Sequence, residues 1–280
     1  MKHLDHFSII SISGADSTEF IQGQMTQDIS AIGDDEARMT AILNPQGRVM
    51  STALIMHWDD SIILVLNKDT VDDLIVWLSR FILRSKVTVS RLEAHIYGLN
   101  QNLANIESDS LDLEKEIFCL RSIETDAERT LLITKSLHDF SKSSITTMSS
   151  RNWQLADIQA GIPTIYKENI AKFIPQMINL DLINGISFNK GCYTGQEIVA
   201  RIQHRGEIKR RMFHISTQQC NAEIRPGTPV LLGTSEVGTV IQSEPHENQI
   251  HSLAVIREDV SKKKLLVNGS ETKVQSQTVY

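Results

Sequence analysis

The run Lys190-Gly191-Cys192-Tyr193-Thr194-Gly195-Gln196-Glu197 sets a thiol and a phenol between two glycines, just behind a lysine and just ahead of a helical pattern. A thiol reacts as its thiolate, and helix N-termini and nearby cations raise the thiolate population. Thr194 and Glu197 stand at capping-box spacing, which predicts a helix over about 195 to 205. Ile198, Val199 and Ile202 then share one apolar stripe, while His204, Arg205 and Gly206 supply a cationic last turn and a left-handed stop. On that geometry Cys192 lies just outside the positive end of the helix dipole, a setting for a reactive thiol. A small buried hydrophobe in a tight Gly-rich turn also fits the spacing. An alkylation rate no faster than that of Cys119 or Cys220 would remove the reactive reading. Lys190 is placed either to lower the thiol pKa or to neutralise a ligand carboxylate, and Tyr193 either to wall a pocket or to orient the thiol.

The elements that must carry this run are legible as alternating strands and helices. Phe7 to Ser13 alternates like a strand, and Gly14, Asp16 and Ser17 lead into a short helix through Phe20 and Ile21. Arg38 to Leu43 and Val49 to Met56 flank Asn44-Pro45-Gln46-Gly47, a hairpin turn. Ile62 to Leu66 reads as a strand, followed by a helix capped by Asp69 or Thr70, with Val71, Leu74, Ile75, Leu78 and Ile82 on its apolar face. Strands follow around 87–89, 95–99, 117–120 and 130–134. The polar stretches 100–116 and 136–150 read as subdomain joints. Arg151 to Ala160 is helix-like and is stopped by Gly161 and Pro163. Beyond Gly206, short strands separated by Pro226-Gly227, Gly233, Gly238 and Asn268-Gly269 predict a small antiparallel barrel or sandwich. The expected class is α+β, with one region over 1–206 and a β domain over 207–280.

At 280 residues and 41% hydrophobic content, the chain can bury a substantial core. Cys119, Cys192 and Cys220 form neither an even-numbered disulfide framework nor a CxxC metal motif, so the thiols read as reduced and no stably bound metal is expected. Met1 to His6 lacks a signal-peptide core, and no stretch offers the roughly 18 uncharged residues of a membrane span, so a cytoplasmic, membrane-free protein is expected. The net charge of -6 argues against broad nonspecific nucleic-acid binding and leaves room for a local basic patch.

The glycine-framed run closely resembles that of the YgfZ family of folate-binding proteins associated with tRNA modification. It is accompanied by Ile174-Pro175-Gln176 and Asn179-Leu180-Asp181 upstream, and by Val199-Ala200-Arg201, Arg205-Gly206 and Lys209-Arg210 downstream. The match is tight over roughly 150 to 211 and weaker toward the N-terminus. It implies the aminomethyltransferase-like architecture of the glycine cleavage T-protein: ferredoxin-like units around a central folate cavity, with a C-terminal β-barrel.

The resemblance carries the functional cysteine onto Cys192 and a folate-site tryptophan onto Trp153. The second folate-site tryptophan falls on Phe7, which keeps a stacking face and loses the indole N–H. Periodicity alone reads Trp153 as a packed helix residue. Gln196 and Arg201 are further expected folate contacts, and Arg201, Arg205, Lys209, Arg210 and Arg211 form a candidate basic rim for a glutamate tail or for tRNA phosphate. A solvated face paired with Glu197 and Glu207 fits the same charges. His204 reads as a helix-end or surface residue.

The family's implied role is folate-dependent support of iron–sulfur cluster assembly or repair in client enzymes, such as a tRNA methylthiotransferase. The ligand is tetrahydrofolate or a derivative. Two alternatives are aminomethyl transfer to tetrahydrofolate and direct tRNA binding regulated by folate. Against the former, Gly47-Arg48-Val49-Met50-Ser51-Thr52 lacks the carboxylate that T-protein relatives carry in the corresponding hairpin, so a classical enzyme is not expected.

Overall fold

In strand β1 (Phe7–Ser13), Ile9 faces one way while Ile10 and Ile12 face the other, and all three are buried. A strand apolar on both faces needs cover on both, and the computed structural model supplies it. The structure describes residues 3–34, 36–100, 117–120, 129–135, 146–218 and 222–276, with the backbone alone at 117–120, 205 and 276. The expected joints therefore lie largely outside the described residues, as do Cys220 and the side chain of Cys119.

After β1 the chain runs through α1 (Ser17–Gln22), β2 (Arg38–Leu43), β3 (Val49–Trp58), β4 (Ser61–Asn67), α2 (Val71–Ile82), β5 (Thr88–Leu92) and β6 (His95–Leu99). It continues with β7 (Ile117–Leu120), β8 (Thr130–Thr134), β9 (Thr147–Met148), α3 (Ser150–Ala160) and α4 (Gln196–Arg205). The last strands are β10 (Arg210–Gln218), β11 (Pro229–Leu232), β12 (Ser235–His246), β13 (Gln249–Arg257), β14 (Leu265–Val267) and β15 (Ser270–Ser276). Two compact units share these elements: Met1–Gln22, Asp28–Arg38 and Ala53–Trp153 form the first, and Gly23–Gln27, Met39–Thr52 and Gln154–Tyr280 the second.

In the first unit, β3 (from Ala53), β4, β1 and β5 are antiparallel neighbours in that order. A second sheet has the order β7-β8-β6-β9. Ile9, Met56, Trp58, Ile63 and Val65 of the first sheet share a core with Ile96, Leu131 and Ile133 of the second, together with Leu4 and Trp153. Val71, Leu74 and Leu78 are the buried positions of α2, set three and four apart as a helical face requires. Thr70 stands at the N-cap position of α2, as expected, without a side-chain cap bond. Ahead of it Asn67 Oδ1 accepts from the Asp69 N–H at 2.8 Å and caps a 3-10 turn that leads into the helix.

In the second unit, β10-β13-β12-β11-β14-β15 close into a six-stranded antiparallel barrel. Its interior holds Phe213, Ile215, Val230, Val240, Ala254, Ile256 and Leu265, the alternate residues of each strand. The segment before α4 is held to the barrel by buried amides: Asn169 Nδ2 donates to the carbonyls of Val240 and Ile241, and Asn179 Nδ2 to that of Met212. Among the described residues no helix is long and apolar enough to cross a membrane.

Two buried histidines make stability pH-dependent. Burial pushes His6 in the first unit down to about 4; in the barrel, burial and then the neighbouring His251 push His214 down to about 4. His214 Nε2 lies 2.9 Å from His251 Nδ1, close enough for one shared proton. A native state that refuses a proton accepted by the unfolded chain loses stability as pH falls. Stability should therefore be level above about pH 7 and fall from about 6.5 to about 4, the interval between unfolded and folded values. Urea unfolding at a series of pH values checks this, and a profile flat down to pH 4 would contradict it.

Candidate functional site

Helix α4 begins at Gln196, with Gly195 as N-cap at φ 82° and no side-chain cap. The expected capping box does not form. Thr194 turns its hydroxyl toward the Gly23 carbonyl and Gln24 Oε1, and Glu197 pairs with Arg201 at 2.8 Å. The reason is a close approach. A Cβ on Gly195 would lie 2.7 Å from the Asn44 carbonyl oxygen, and one on Gly47 would lie 2.7 Å from Ile198 Cβ, so the β2–β3 turn packs directly against the start of α4. At the other end Gly206 is extended, at φ -103° and ψ 151°, rather than left-handed, and its N–H still closes on the Ile202 carbonyl.

Cys192 is a free, exposed thiol, which rules out the buried-hydrophobe reading. Its neighbours are buried: Tyr193 is 7% exposed and Lys190 8%. Burial pushes the Tyr193 phenol up to about 12, so at neutral pH it keeps its proton. Lys190 takes a part that the sequence reading did not weigh. Its Nζ donates to the carbonyls of Met25 at 2.9 Å and Gln27 at 2.5 Å, and lies 5.2 Å from the Tyr193 ring centroid.

The expected basic rim is divided. Arg201 is exposed and paired with Glu197, while Lys209 and His204 are exposed. Arg210 is half-buried opposite Arg257 in the β10–β13 register. The side chain of Arg205 lies outside the described residues. Arg211 does not belong to a rim: its guanidinium forks onto both oxygens of Asp181 at 2.7 and 2.9 Å and donates to the Gln176 carbonyl. With both side chains nearly buried, this pair is an internal brace. Gln196 is half-buried at the first turn of α4.

Phe7 and Trp153 fall in the first unit. Trp153 is 5% exposed; Gly98 packs against its six-membered ring, where a Cβ would come within 2.4 Å, and the Arg129 guanidinium lies over the ring at 4.6 Å. Phe7 packs against the same core and also lines a cavity of about 410 Å³. The cavity wall includes Leu4, Ile9 and Ile96, which are members of the Trp153 core, so that core forms its floor. Its polar lining is His3, Asp5, Ser8, Lys68, Arg91 and Glu93. Asp5 is tied to the start of α3: its carboxylate accepts from the Ser150 hydroxyl, which holds its pKa below the usual carboxylate range. Arg91 is partnered by Asp72 at 2.8 Å. Lys68 and Arg91 were not anticipated. Lys68 opens the 3-10 turn after β4 and Arg91 sits on the edge strand β5, and neither position carries a motif.

Among the described residues no group of three or more His, Cys, Asp or Glu side chains is placed to hold a metal ion. The lining sets the Phe7 ring and aliphatic side chains beside two cations, Lys68 and Arg91, and two carboxylates, Asp5 and Glu93.

Two sheets and a closed barrel make this an α+β protein with the fold of an aminomethyltransferase. The solved glycine cleavage system aminomethyltransferase T from Bartonella henselae matches it with a TM-score of 0.70 at 13% identity, covering 99% of this chain and 84% of that one. No family model matches. Among curated proteins it is 30% identical over 284 residues to the tRNA-modifying protein YgfZ of Pectobacterium carotovorum subsp. carotovorum (strain PC1), covering 94% of this chain and 85% of the relative. It is 32% identical over 226 residues to the protein of the same name from Shigella sonnei (strain Ss046), covering 75% and 69%. The chain belongs to the YgfZ family.

Proposed function

We propose that this protein is a folate-binding accessory factor in tRNA modification. In this reading it supports assembly or repair of iron–sulfur clusters in client enzymes such as a tRNA methylthiotransferase, in the cytoplasm. The observation that carries the folate part is the cavity beside Phe7. Its volume of about 410 Å³ falls within the ~300 to 1,000 Å³ range of small-molecule sites. Phe7 offers a ring face to the pterin, Asp5 and Glu93 offer acceptors to its N–H edge, and Lys68 and Arg91 offer charge to the glutamate carboxylates. Trp153 does not line the cavity; it packs in the core with Leu4, Ile9 and Ile96, which do, and reports on this surface through them. Cys192 supplies an exposed nucleophile for transient sulfur or cluster chemistry, and the scattered thiols supply no complete ligand set of their own. Effects on tRNA then arise through the clients.

Titration with tetrahydrofolate, followed by tryptophan fluorescence, tests the first part. Saturable quenching is expected, with Phe7→Ala weakening affinity roughly fivefold, as loss of about 1 kcal/mol of stacking implies. Lys68→Ala should weaken a polyglutamylated folate more than a monoglutamate. Absence of saturable binding by the unmodified protein would end the folate assignment, and release of ammonia from an aminomethylated donor would favour the transferase reading instead.

A further inference from the structure

The geometry points to Lys190 as the positioning residue that holds Cys192 in place, through a buried ammonium clamp between the thiol-bearing arch and the segment Gly23–Gln27. This rests on the reading of Cys192 as the functional thiol. Phe188, Asn189, Gly191 and Cys192 are exposed, and a Cβ at Gly191 would meet nothing within 4 Å. An arch with so little packing exchanges among conformers unless it is tied down, because ordering each residue costs roughly 1–2 kcal/mol.

The ties run along one line. The Ser187 N–H donates to the Thr26 carbonyl at 2.9 Å, and the Thr194 N–H donates to the Gly23 carbonyl at 3.0 Å. Between them the Lys190 ammonium reaches the Met25 and Gln27 carbonyls. The receiving segment is itself fixed to β2: the Thr26 N–H donates to the Ala41 carbonyl, the Ala41 N–H to Thr26 Oγ1, and the Gln27 N–H to Thr40 Oγ1. Lys190 thus does for this arch what a bound cation does for a loop of carbonyls. Its ammonium donates to backbone acceptors two residues before Cys192, and the Tyr193 ring braces it one residue after. Arginine can also donate to two carbonyls with a permanent charge, whereas methionine fills similar space and donates nothing.

The test uses the full chain carrying Cys119→Ser and Cys220→Ser, so that a nitroxide label reports on Cys192 alone. In Lys190→Met the Ser187 and Thr194 amides should exchange roughly tenfold faster or more, as expected for loss of charge-assisted hydrogen bonds. Exchange in the barrel strands should stay unchanged. The label at Cys192 should shift toward fast motion, and Lys190→Arg should restore both readouts. With native cysteines, methylthiolated tRNA in cells lacking the native protein should fall with Lys190→Met and recover with Lys190→Arg at matched protein levels. If Lys190→Met does not fold, Lys190→Gln, which keeps one donor pair without charge, takes its place with the same expectations. Unchanged amide exchange and label mobility would overturn the clamp. A loosened arch with full methylthiolation, in a background where Cys192→Ser is inactive, would overturn its positioning role. Full methylthiolation by Cys192→Ser would instead overturn the thiol reading, and the exchange and label results would still judge the clamp.

Discussion

Cys192→Ser should leave the protein folded and reduce methylthiolated tRNA to the level of cells lacking the protein altogether. The thiol is exposed and free, so replacing sulfur by oxygen removes no packing, and stability should change by no more than about 0.5 kcal/mol. The chemical change is far larger. A serine hydroxyl is not ionised near neutral pH without a partnered base, and it neither exchanges with sulfur species nor binds iron as a thiolate does. The phenol beside it is no substitute, since burial pushes Tyr193 up to about 12. Nucleoside analysis of tRNA from complemented cells, with a parallel denaturation curve, separates function from folding. Full modification by the serine variant would remove the thiol from the mechanism.

Asp181→Ala should cost about 3–5 kcal/mol, the largest stability effect expected from a single substitution described above. The side chains of Asp181 and Arg211 are 9% and 12% exposed, and the guanidinium is held by two carboxylate bonds and one to the Gln176 carbonyl. Removing the carboxylate leaves a cation in a poorly solvated site with most of its compensation gone. Asp181→Asn, which keeps one acceptor, should cost less. An Asp181→Leu, Arg211→Met double substitution should recover much of the loss, because neither charge then has to be buried. Urea unfolding of the unsubstituted protein and these three variants measures each effect. A loss below about 1 kcal/mol for Asp181→Ala would show the pair to be well solvated in solution.

This brace also marks where sequence reading stopped. Asn179-Leu180-Asp181 and Lys209-Arg210-Arg211 were each visible as charged, motif-like runs, and the arginines were grouped as a rim. Nothing in either run states that Arg211 faces inward on β10 while Arg210 stands opposite Arg257. A shift of one residue on a strand reverses the face, and the barrel register sets which residue is inside. The capping box failed for a related reason. Thr194 and Glu197 have the right spacing, but the β2–β3 turn, about 150 residues earlier in the chain, lies against Gly195 and commits both residues elsewhere.

Local order needed no such information. Strand β1 occupies the residues its alternation predicted and β2 those expected to flank the hairpin turn, α3 ends where Gly161 turns left-handed at φ 70°, and α4 starts within one residue of the expected position. The short strands after Gly206 form a barrel, one of the two forms their turn residues suggested. The run around Cys192 was sufficient for family membership. These features depend on side-chain periodicity, backbone stereochemistry and turn residues, which act over a few positions and are written contiguously. The cavity beside Phe7 draws on residues 3–9, 68 and 91–96, and Lys190 finds its carbonyl partners about 165 positions away. Such placements follow from how buried faces pair and where backbone acceptors come to rest, which the chain settles only when the whole core closes.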